Sequence, residues 1–387
     1  MNIDNITATA SVSLADKARK MEIDGEKIIK LQTGDPFFKT HNSIIEAANL
    51  SLKNDNTHYS FAQGLPNLRR KIAENINVEI KGFLTEKNIM ITHGAVQGLF
   101  SVFSSILEHN NEVLILEPNW STVDSAVIMN GGIPVKINSF SENDITKLLE
   151  QAYNFNTIAL CFNSPCNPTG KTFSKKTIQN IVKWAIKKDI YIIADEVYRF
   201  LQYEHYVTSL FTINSYNKYI FIDSFSKKFA MTGWRIGYIA ANEKIIKKTL
   251  KASQINITHV APFIQIAALE AISNKKIENY SRYMKKIYFR RRQLIIDILI
   301  SNNIDFIRPD GAFYFFIKLK EFTDDVFFTD KLLNKYKVCV VPGSAYGATG
   351  KGYIRVSFSG REKDLIEGLN RVALLYNEIV NPIKFTK

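Results

Sequence analysis

Residues 224–237 read Ser-Phe-Ser-Lys-Lys-Phe-Ala-Met-Thr-Gly-Trp-Arg-Ile-Gly. The apolar run Tyr219-Ile220-Phe221-Ile222 leads into them, and a second run, Tyr238-Ile239-Ala240-Ala241, follows. Short apolar runs bounded by polar and glycine residues read as buried strands. The layout is therefore strand, polar loop, strand, with Lys227 and Arg235 held between two buried elements. A lysine in such a place can be desolvated, which lowers its pKa and makes its amine a nucleophile toward a carbonyl. Ser224, Ser226 and Arg235 supply donors suited to a phosphate. A solvated surface loop is the competing reading, and it is the one that fits Lys228.

Working outward, short apolar strands alternate with amphipathic helices, which points to α/β architecture with a mainly parallel sheet. The expected strands are Ile89–Ile91, Glu112–Leu116, Gly132–Ile137, Thr157–Phe162, Ile190–Ala194, Tyr219–Asp223 and Gly237–Ala241. Helices are expected at Ala95–Leu107, Lys175–Lys188 and Lys244–Ser253. After about residue 280 the texture changes to a basic, aromatic helix (Tyr280–Ser301), strand-like pieces at Gly311–Lys318, Val338–Val341 and Gly352–Ser357, and a last helix at Lys363–Asn377. The division predicted is an N-terminal arm and helix (1–40) packing with the later part, a large seven-stranded domain (41–280) and a smaller α+β domain (281–387).

The bulk properties agree with an enzyme. At 387 residues the chain is long for one core, so two domains are expected. Its 46% hydrophobic and 22% charged residues are those of a soluble globular protein. No apolar run approaches the ~18 residues of a membrane span. Met1-Asn2-Ile3-Asp4-Asn5 has no basic leader, so a secretory signal is not expected. The cysteines, Cys161, Cys166 and Cys339, are odd in number and form no Cys-x-x-Cys pair, which suits reduced thiols in the cytoplasm. The net charge of +13 could suggest nucleic acid, but the basic residues are scattered. Arg290-Arg291-Arg292 is the one compact cluster, and a solvated helix face is expected there. Neither nucleic acid nor membrane is an expected partner.

Other segments carry chemistry. Asn163-Ser164-Pro165-Cys166-Asn167-Pro168-Thr169-Gly170 follows a strand directly. Its prolines and glycine fix a turn at the strand's C-terminal end, where open α/β sheets place ligands; an ordinary Asn-Pro turn is the plainer reading. Asp195 ends a buried strand, where a carboxylate is costly without a cation; a helix N-cap accounts for it equally well. Thr92-His93-Gly94-Ala95-Val96-Gln97 joins a strand to a helix whose free N–H groups suit a phosphate, and His93 reads as a bystander. Trp120 follows another strand and could simply be core. Arg355 lies inside the apolar stretch Gly352–Phe358, and a buried guanidinium needs a carboxylate, from a ligand or from a structural ion pair.

A lysine amine beside a phosphate cradle is what pyridoxal 5'-phosphate requires. The stretches at 224–237 and 163–170 match, without a fixed-position mismatch, the lysine signature and the Asn-x-Pro-x-Asn-Pro-Thr-Gly element of a known family. Together with Leu31-Gln32-Thr33-Gly34-Asp35-Pro36 and His58-Tyr59-Ser60-Phe61-Ala62-Gln63-Gly64, the chain resembles the class I/II aminotransferases of fold type I, nearest the bacterial aspartate and aromatic branch, over roughly residues 12–377 in collinear order. The resemblance implies a fold type I transferase, a mostly parallel seven-stranded sheet plus a smaller α+β domain. It implies pyridoxal 5'-phosphate condensed with Lys227, which is also the general base. Gly94, Ala95 and Val96 then form the phosphate cup with Ser224, Ser226 and Arg235. Asp195 takes the pyridine nitrogen, Asn167 and Tyr198 the phenolic oxygen, and Trp120 the ring face. Arg355, with Gly34 and Asn167, takes the substrate α-carboxylate. Tyr59 reaches the phosphate of a neighbouring subunit, which implies a homodimer.

The implied reaction moves an amino group between an α-amino acid and a 2-oxo acid with ping-pong kinetics. Two departures bear on the substrate. The family commonly has an acid where this chain has Phe37, and the aspartate branch often has a lysine where it has Val96, which tilts the expectation toward neutral or aromatic side chains over aspartate-type ones. A carbon–sulfur β-lyase on the same scaffold is the alternative. A ligand-sensing regulator of this fold would carry an added DNA-binding region, for which the roughly thirty residues before Gly34 are too few.

Overall fold

The computed structural model of the protein describes residues 6, 10–140, 144–320 and 324–380. The extreme ends of the expected arm and of the expected small domain lie outside the described residues.

The first strand, β1 (Ile29–Lys30), is short and precedes the main sheet. The seven expected strands form as β2 (Ile89–Thr92), β3 (Glu112–Glu117), β4 (Ile133–Asn138), β5 (Thr157–Asn163), β6 (Tyr191–Asp195), β7 (Tyr219–Ser224) and β8 (Gly237–Ala241). They make one sheet in the order β2-β8-β7-β6-β5-β3-β4. Only β8 runs against its neighbours; the other pairings are parallel. Parallel neighbours need a long crossover, whereas residues 225–236 hold only a short helix and a 3-10 turn, so β8 can only return antiparallel. Alternate side chains serve opposite faces: Ile192, Phe221 and Ala240 enter one core, and Ile193, Ile220, Ile222 and Ile239 the other. Helices on both faces require this, and it explains why the strands read as unbroken apolar runs.

Beyond residue 300 a second sheet has the order β12-β13-β10-β9, built from β9 (Phe306–Ile307), β10 (Tyr314–Lys318), β12 (Val341–Pro342) and β13 (Tyr353–Ser357). The stretch expected as a single strand at Val338–Val341 is divided. Its first part, β11 (Val338–Cys339), pairs in parallel with β1, and β12 pairs with β13. The division lets one segment bind two sheets, and Pro342, which has no N–H to donate, lies at its end. The N-terminal helix Ala10–Ile23 packs through Leu14, Ala18 and Met21 onto Leu333 and Cys339.

The expectation for the triple arginine is corrected. The helix Lys275–Ser301 buries Tyr288, Arg291, Arg292, Ile295, Ile296 and Leu299, a three- and four-residue spacing that carries two of the arginines inward. Arg292 is 1% exposed; its Nε donates to Pro309 O (2.6 Å) and its Nη2 to Glu204 Oε1 (2.9 Å). Arg291 lies among the rings of Phe37, Phe38 and Tyr288. Only Arg290, paired with Glu362, sits on a solvated face.

Arg292→Ala should therefore lose roughly 2–3 kcal/mol of stability, through an unsatisfied carbonyl and lost packing. Arg290→Ala should cost less than about 1 kcal/mol. Urea unfolding of the two variants checks the order; equal losses would restore the solvated reading.

Candidate active site

The site assembles at the C-terminal ends of β5, β6 and β7, the side on which parallel sheets place ligands. Asn163 at the end of β5 lies in register with Asp195 at the end of β6, and Ser224 at the end of β7 pairs with Gly237. Gly237 pairs on its other side with Thr92 of β2, just before the helix Gly94–Ile106. The reversed strand thus brings the helix start against the lysine-bearing loop.

Two glycines make this approach possible. A Cβ on Gly94, whose φ is +73°, would lie 2.6 Å from Arg235 Nη2. One on Gly237 would lie 2.8 Å from Asp223 O and 2.9 Å from the Gly94 carbonyl carbon. The first N–H groups of the helix, including those of Ala95 and Val96, have no intrahelical acceptor. The helix start stands beside the Arg235 guanidinium, and Ala95 N lies against Gly237, the strand partner of the buried Ser224; Ser226 is buried as well. Arg235 itself is held by its Nη1, which donates to Thr232 O (2.9 Å). His93 Nε2 lies 3.3 Å from His259 O.

Lys227 sits on the short helix Phe225–Lys228, and its Nζ donates to Gly34 O (2.7 Å). The rings of Tyr198 and Phe313 lie 5.7 and 5.8 Å from the amine. Desolvation is the main cause that pushes its pKa down to about 8; Arg235 and Arg355 push the same way, and Asp35 and Asp195 oppose them. Lys228 points elsewhere and pairs with Glu278 (2.8 Å).

Asp195 is buried and forms no ion pair among the described residues. Its Oδ1 accepts from Val197 N (3.3 Å), but residues 197–200 form a turn and not a helix, so the capping reading reduces to that single long bond. Burial, with Asp223 and Glu196 nearby, pushes its carboxyl up to about 7. A permanent cation at this position would reverse that penalty.

Asn167 is buried; its N donates to Asn163 Oδ1 (2.7 Å) and its Oδ1 accepts from Arg355 Nη1 (2.9 Å). Arg355 is 3% exposed, donates through Nη2 to Gln32 O, and lies 4.4 Å above the Tyr314 ring. The structural ion pair considered for it is absent among the described residues, and its Nε is buried without a partner. Tyr198 OH and Tyr314 OH are 2.7 Å apart. A Cβ on Gly34 would fall 1.9 Å from Tyr314 OH, so only glycine fits beneath the arginine at that point.

Trp120 is half-buried just beyond β3 and belongs to none of the hydrophobic clusters of the described residues. Tyr59 is not brought into the cluster. It is 88% exposed, and its ring meets that of His259 at 5.5 Å. Tyr314 and Gln32 were not found from sequence. Tyr314 is one of 17 tyrosines in an aromatic-rich chain, and Gln32 contributes through a backbone carbonyl, which no residue pattern signals.

Two cavities flank the lysine loop. One of about 510 Å³ is lined by Asp35, Phe38, Thr232 and Trp234. The other, about 870 Å³, lies behind Ser224 and Lys228, and several charges of its wall are paired within it, Arg199 with Asp223 (2.8 Å) and Glu79 (2.7 Å) and Lys228 with Glu278 (2.8 Å). Lys227, Asp195, Asn167 and Arg355 are not among the residues that line it. An amine that readily loses its proton, a cradle of N–H groups beside an arginine, and a buried carboxylate lacking a cation together fit a phosphorylated pyridine aldehyde.

Comparison with known proteins follows the same line. A family model described as aminotransferase class I and II matches residues 26–372. The aspartate aminotransferase of Pyrococcus abyssi is 36% identical over 363 residues, 91% of this chain and 92% of that protein. The aromatic-amino-acid aminotransferase 2 of Thermococcus litoralis is 34% identical over 362 residues, 91% and 92% of the two. Among solved structures, the aspartate aminotransferase from Thermus thermophilus with maleate superposes with a TM-score of 0.91 at 30% identity, covering 96% of this chain and 98% of that one.

In the full-length protein without added cofactor, acylation of Lys227 by acetic anhydride should rise with a midpoint near pH 8. Exposed lysines should keep rising toward about pH 10.4. Peptide mass spectrometry reads both; a Lys227 curve superimposed on the others would contradict the electrostatics described.

Proposed function

We propose residue roles and a substrate preference for a chain that belongs to the class I and II aminotransferases and is a pyridoxal 5'-phosphate-dependent enzyme. It moves an amino group between an amino acid and a 2-oxo acid. The carbon–sulfur lyase alternative finds no support in the relatives, which are named aminotransferases. When bound, pyridoxal phosphate supplies an aldehyde carbon that receives the amino group and a ring that takes up electrons from the α-carbon.

The roles proposed follow from the protein's own groups. Lys227 Nζ would hold the cofactor and, once freed, would take up and return the proton of the substrate α-carbon; an amine with a pKa of about 8 suits such shuttling near neutral pH. Asp195 holds the pyridine nitrogen protonated. Asn167 and Tyr198 reach the phenolic oxygen, and Trp120 covers a ring face. Gly94, Ala95, Val96, Ser224, Ser226 and Arg235 bind the phosphate. Arg355, backed by Gly34 and Asn167, takes the substrate α-carboxylate as a bidentate fork. The observation that carries this reading is the buried Arg355 guanidinium without a carboxylate partner among the described residues.

For the substrate side chain we favour a neutral or aromatic group. Val96 in the first helical turn offers no cation, and Phe37 presents a half-exposed ring. An aspartate-type substrate is the second reading. Arg361 lies 5.6 Å from the Phe37 ring and is a nearby cation, and relatives from Pyrococcus abyssi, Thermotoga maritima and Pyrococcus horikoshii are each named aspartate aminotransferase. A homodimer in which Tyr59 reaches the neighbouring site is proposed on the exposure of Tyr59 (88%) and Ile255 (90%). The division at residues 1–40, 41–280 and 281–387 is supported by separate cores around the two larger sheets. A cytoplasmic setting accords with the three free cysteines. Among the described residues no helix is long and apolar enough to cross a membrane.

Lys227→Ala should lower turnover by at least roughly 10³-fold. Arg355→Ala should act chiefly on KM, raising it by roughly 10²-fold for every amino donor. Single-turnover reactions with phenylalanine, leucine and aspartate give the preference. Near-normal turnover of the lysine variant overturns the mechanism, and aspartate reacting fastest selects the second substrate reading.

A further inference from the structure

The segment 34–40 lies across the lysine-bearing loop and is tied to it four times. Lys227 Nζ donates to Gly34 O (2.7 Å), and Thr232 Oγ1 donates to Asp35 Oδ1 (2.6 Å). Thr40 Oγ1 donates to Ala230 O (2.6 Å), and Trp234 Nε1 donates to Thr40 Oγ1 (3.2 Å). Asp35 therefore follows directly on the carbonyl that accepts the amine, and its carboxylate orientation is set by the loop on which that amine rides.

The charged groups that face Lys227 are Asp35, Arg235, Arg355 and Asp195. Two are guanidinium groups that penalise an ammonium ion, and two are carboxylates that favour it. Asp195, buried on β6, is assigned to the pyridine nitrogen. Asp35 makes no ion pair among the described residues and accepts a hydrogen bond from Thr232 Oγ1 on the lysine's own loop.

We propose that Asp35 is a positioning residue for Lys227: its carboxylate, fixed by the Thr232 hydroxyl beside the Gly34 carbonyl, offsets Arg235 and Arg355 and sets how readily the lysine amine holds a proton. The role rests on Lys227 being the reacting amine. It goes further in assigning the protonation of that amine partly to the N-terminal segment. Replacing the carboxylate removes a group that favours the ammonium form, so the amine then loses its proton at lower pH. A merely structural staple between segment and loop would leave that equilibrium where it was.

The test is the pH midpoint of Lys227 acylation by acetic anhydride, read by peptide mass spectrometry on the full-length, cofactor-free protein. Four forms are compared: wild type, Asp35→Asn, Asp35→Glu and Thr232→Val, each shown to be folded by circular dichroism. Asp35→Asn should lower the midpoint by roughly half to one pH unit, Asp35→Glu should restore most of it, and Thr232→Val should give a smaller shift in the same direction. In the cofactor-loaded enzyme the acidic limb of the kcat profile should move the same way. A folded Asp35→Asn protein with the wild-type midpoint overturns the assignment. If that variant does not fold, Thr232→Val decides, a lowered midpoint supporting the proposal and an unchanged one overturning it. A wild-type midpoint near that of exposed lysines would instead sink the reading of Lys227 itself, which keeps the two failures apart.

Discussion

A lysine amine buried away from water is the constraint on which the site depends. Burial is the main penalty on the Lys227 ammonium form, Arg235 and Arg355 add to it, and Asp35 and Asp195 oppose it. The fold accepts this cost in order to hold an amine that sheds its proton near neutral pH. The reversed strand β8 is the device that arranges it. A short connection after β7 places Lys227 and Arg235 on one loop, and the antiparallel return sets Gly237 against Gly94, so the helix start and the arginine face the same point. A longer crossover would have separated the amine from Arg235 and the helix start.

The carboxylates at the strand ends give the complementary half of the argument. Three of them are buried side by side, and two have been provided for within the protein. Asp223 meets Arg199 (2.8 Å) and Tyr238 OH (3.1 Å), and Glu196 accepts from Ser209 N and Thr208 Oγ1 (2.6 Å each). Among the described residues Asp195 has neither a cation nor a hydroxyl, only the long bond from Val197 N. A buried carboxylate left so poorly matched is costly, and a charged pyridine nitrogen is the partner that suits it. The same contrast holds for arginines: Arg292 and Arg199 are paired with acids, while Arg355 has carbonyl oxygens and an aromatic ring.

The parts of the structure that were legible in sequence are those where chemistry interrupts an apolar pattern. Lys227 between two strands, Arg355 within one and Asp195 at the end of another each break a run whose burial was evident. The seven strands were legible for the same reason, with ends displaced by a residue or so. Features that depend on tertiary register were not. Arg291 and Arg292 look like surface charge until the helix phase is fixed by Tyr288, Ile295 and Leu299. The segment Val338–Pro342 looks like one strand because nothing in its composition tells that it serves two sheets. Tyr314 is known only from the folded arrangement, in which its hydroxyl lies 2.7 Å from Tyr198 OH and leaves no room for a Cβ on Gly34.

The most direct test of the account is borohydride reduction of the purified protein saturated with pyridoxal 5'-phosphate, followed by peptide mapping. The account predicts a single phosphopyridoxyl group on the Lys227 side chain. A product on Lys228 or on another lysine, or a protein that remains colourless and unmodified, would contradict it.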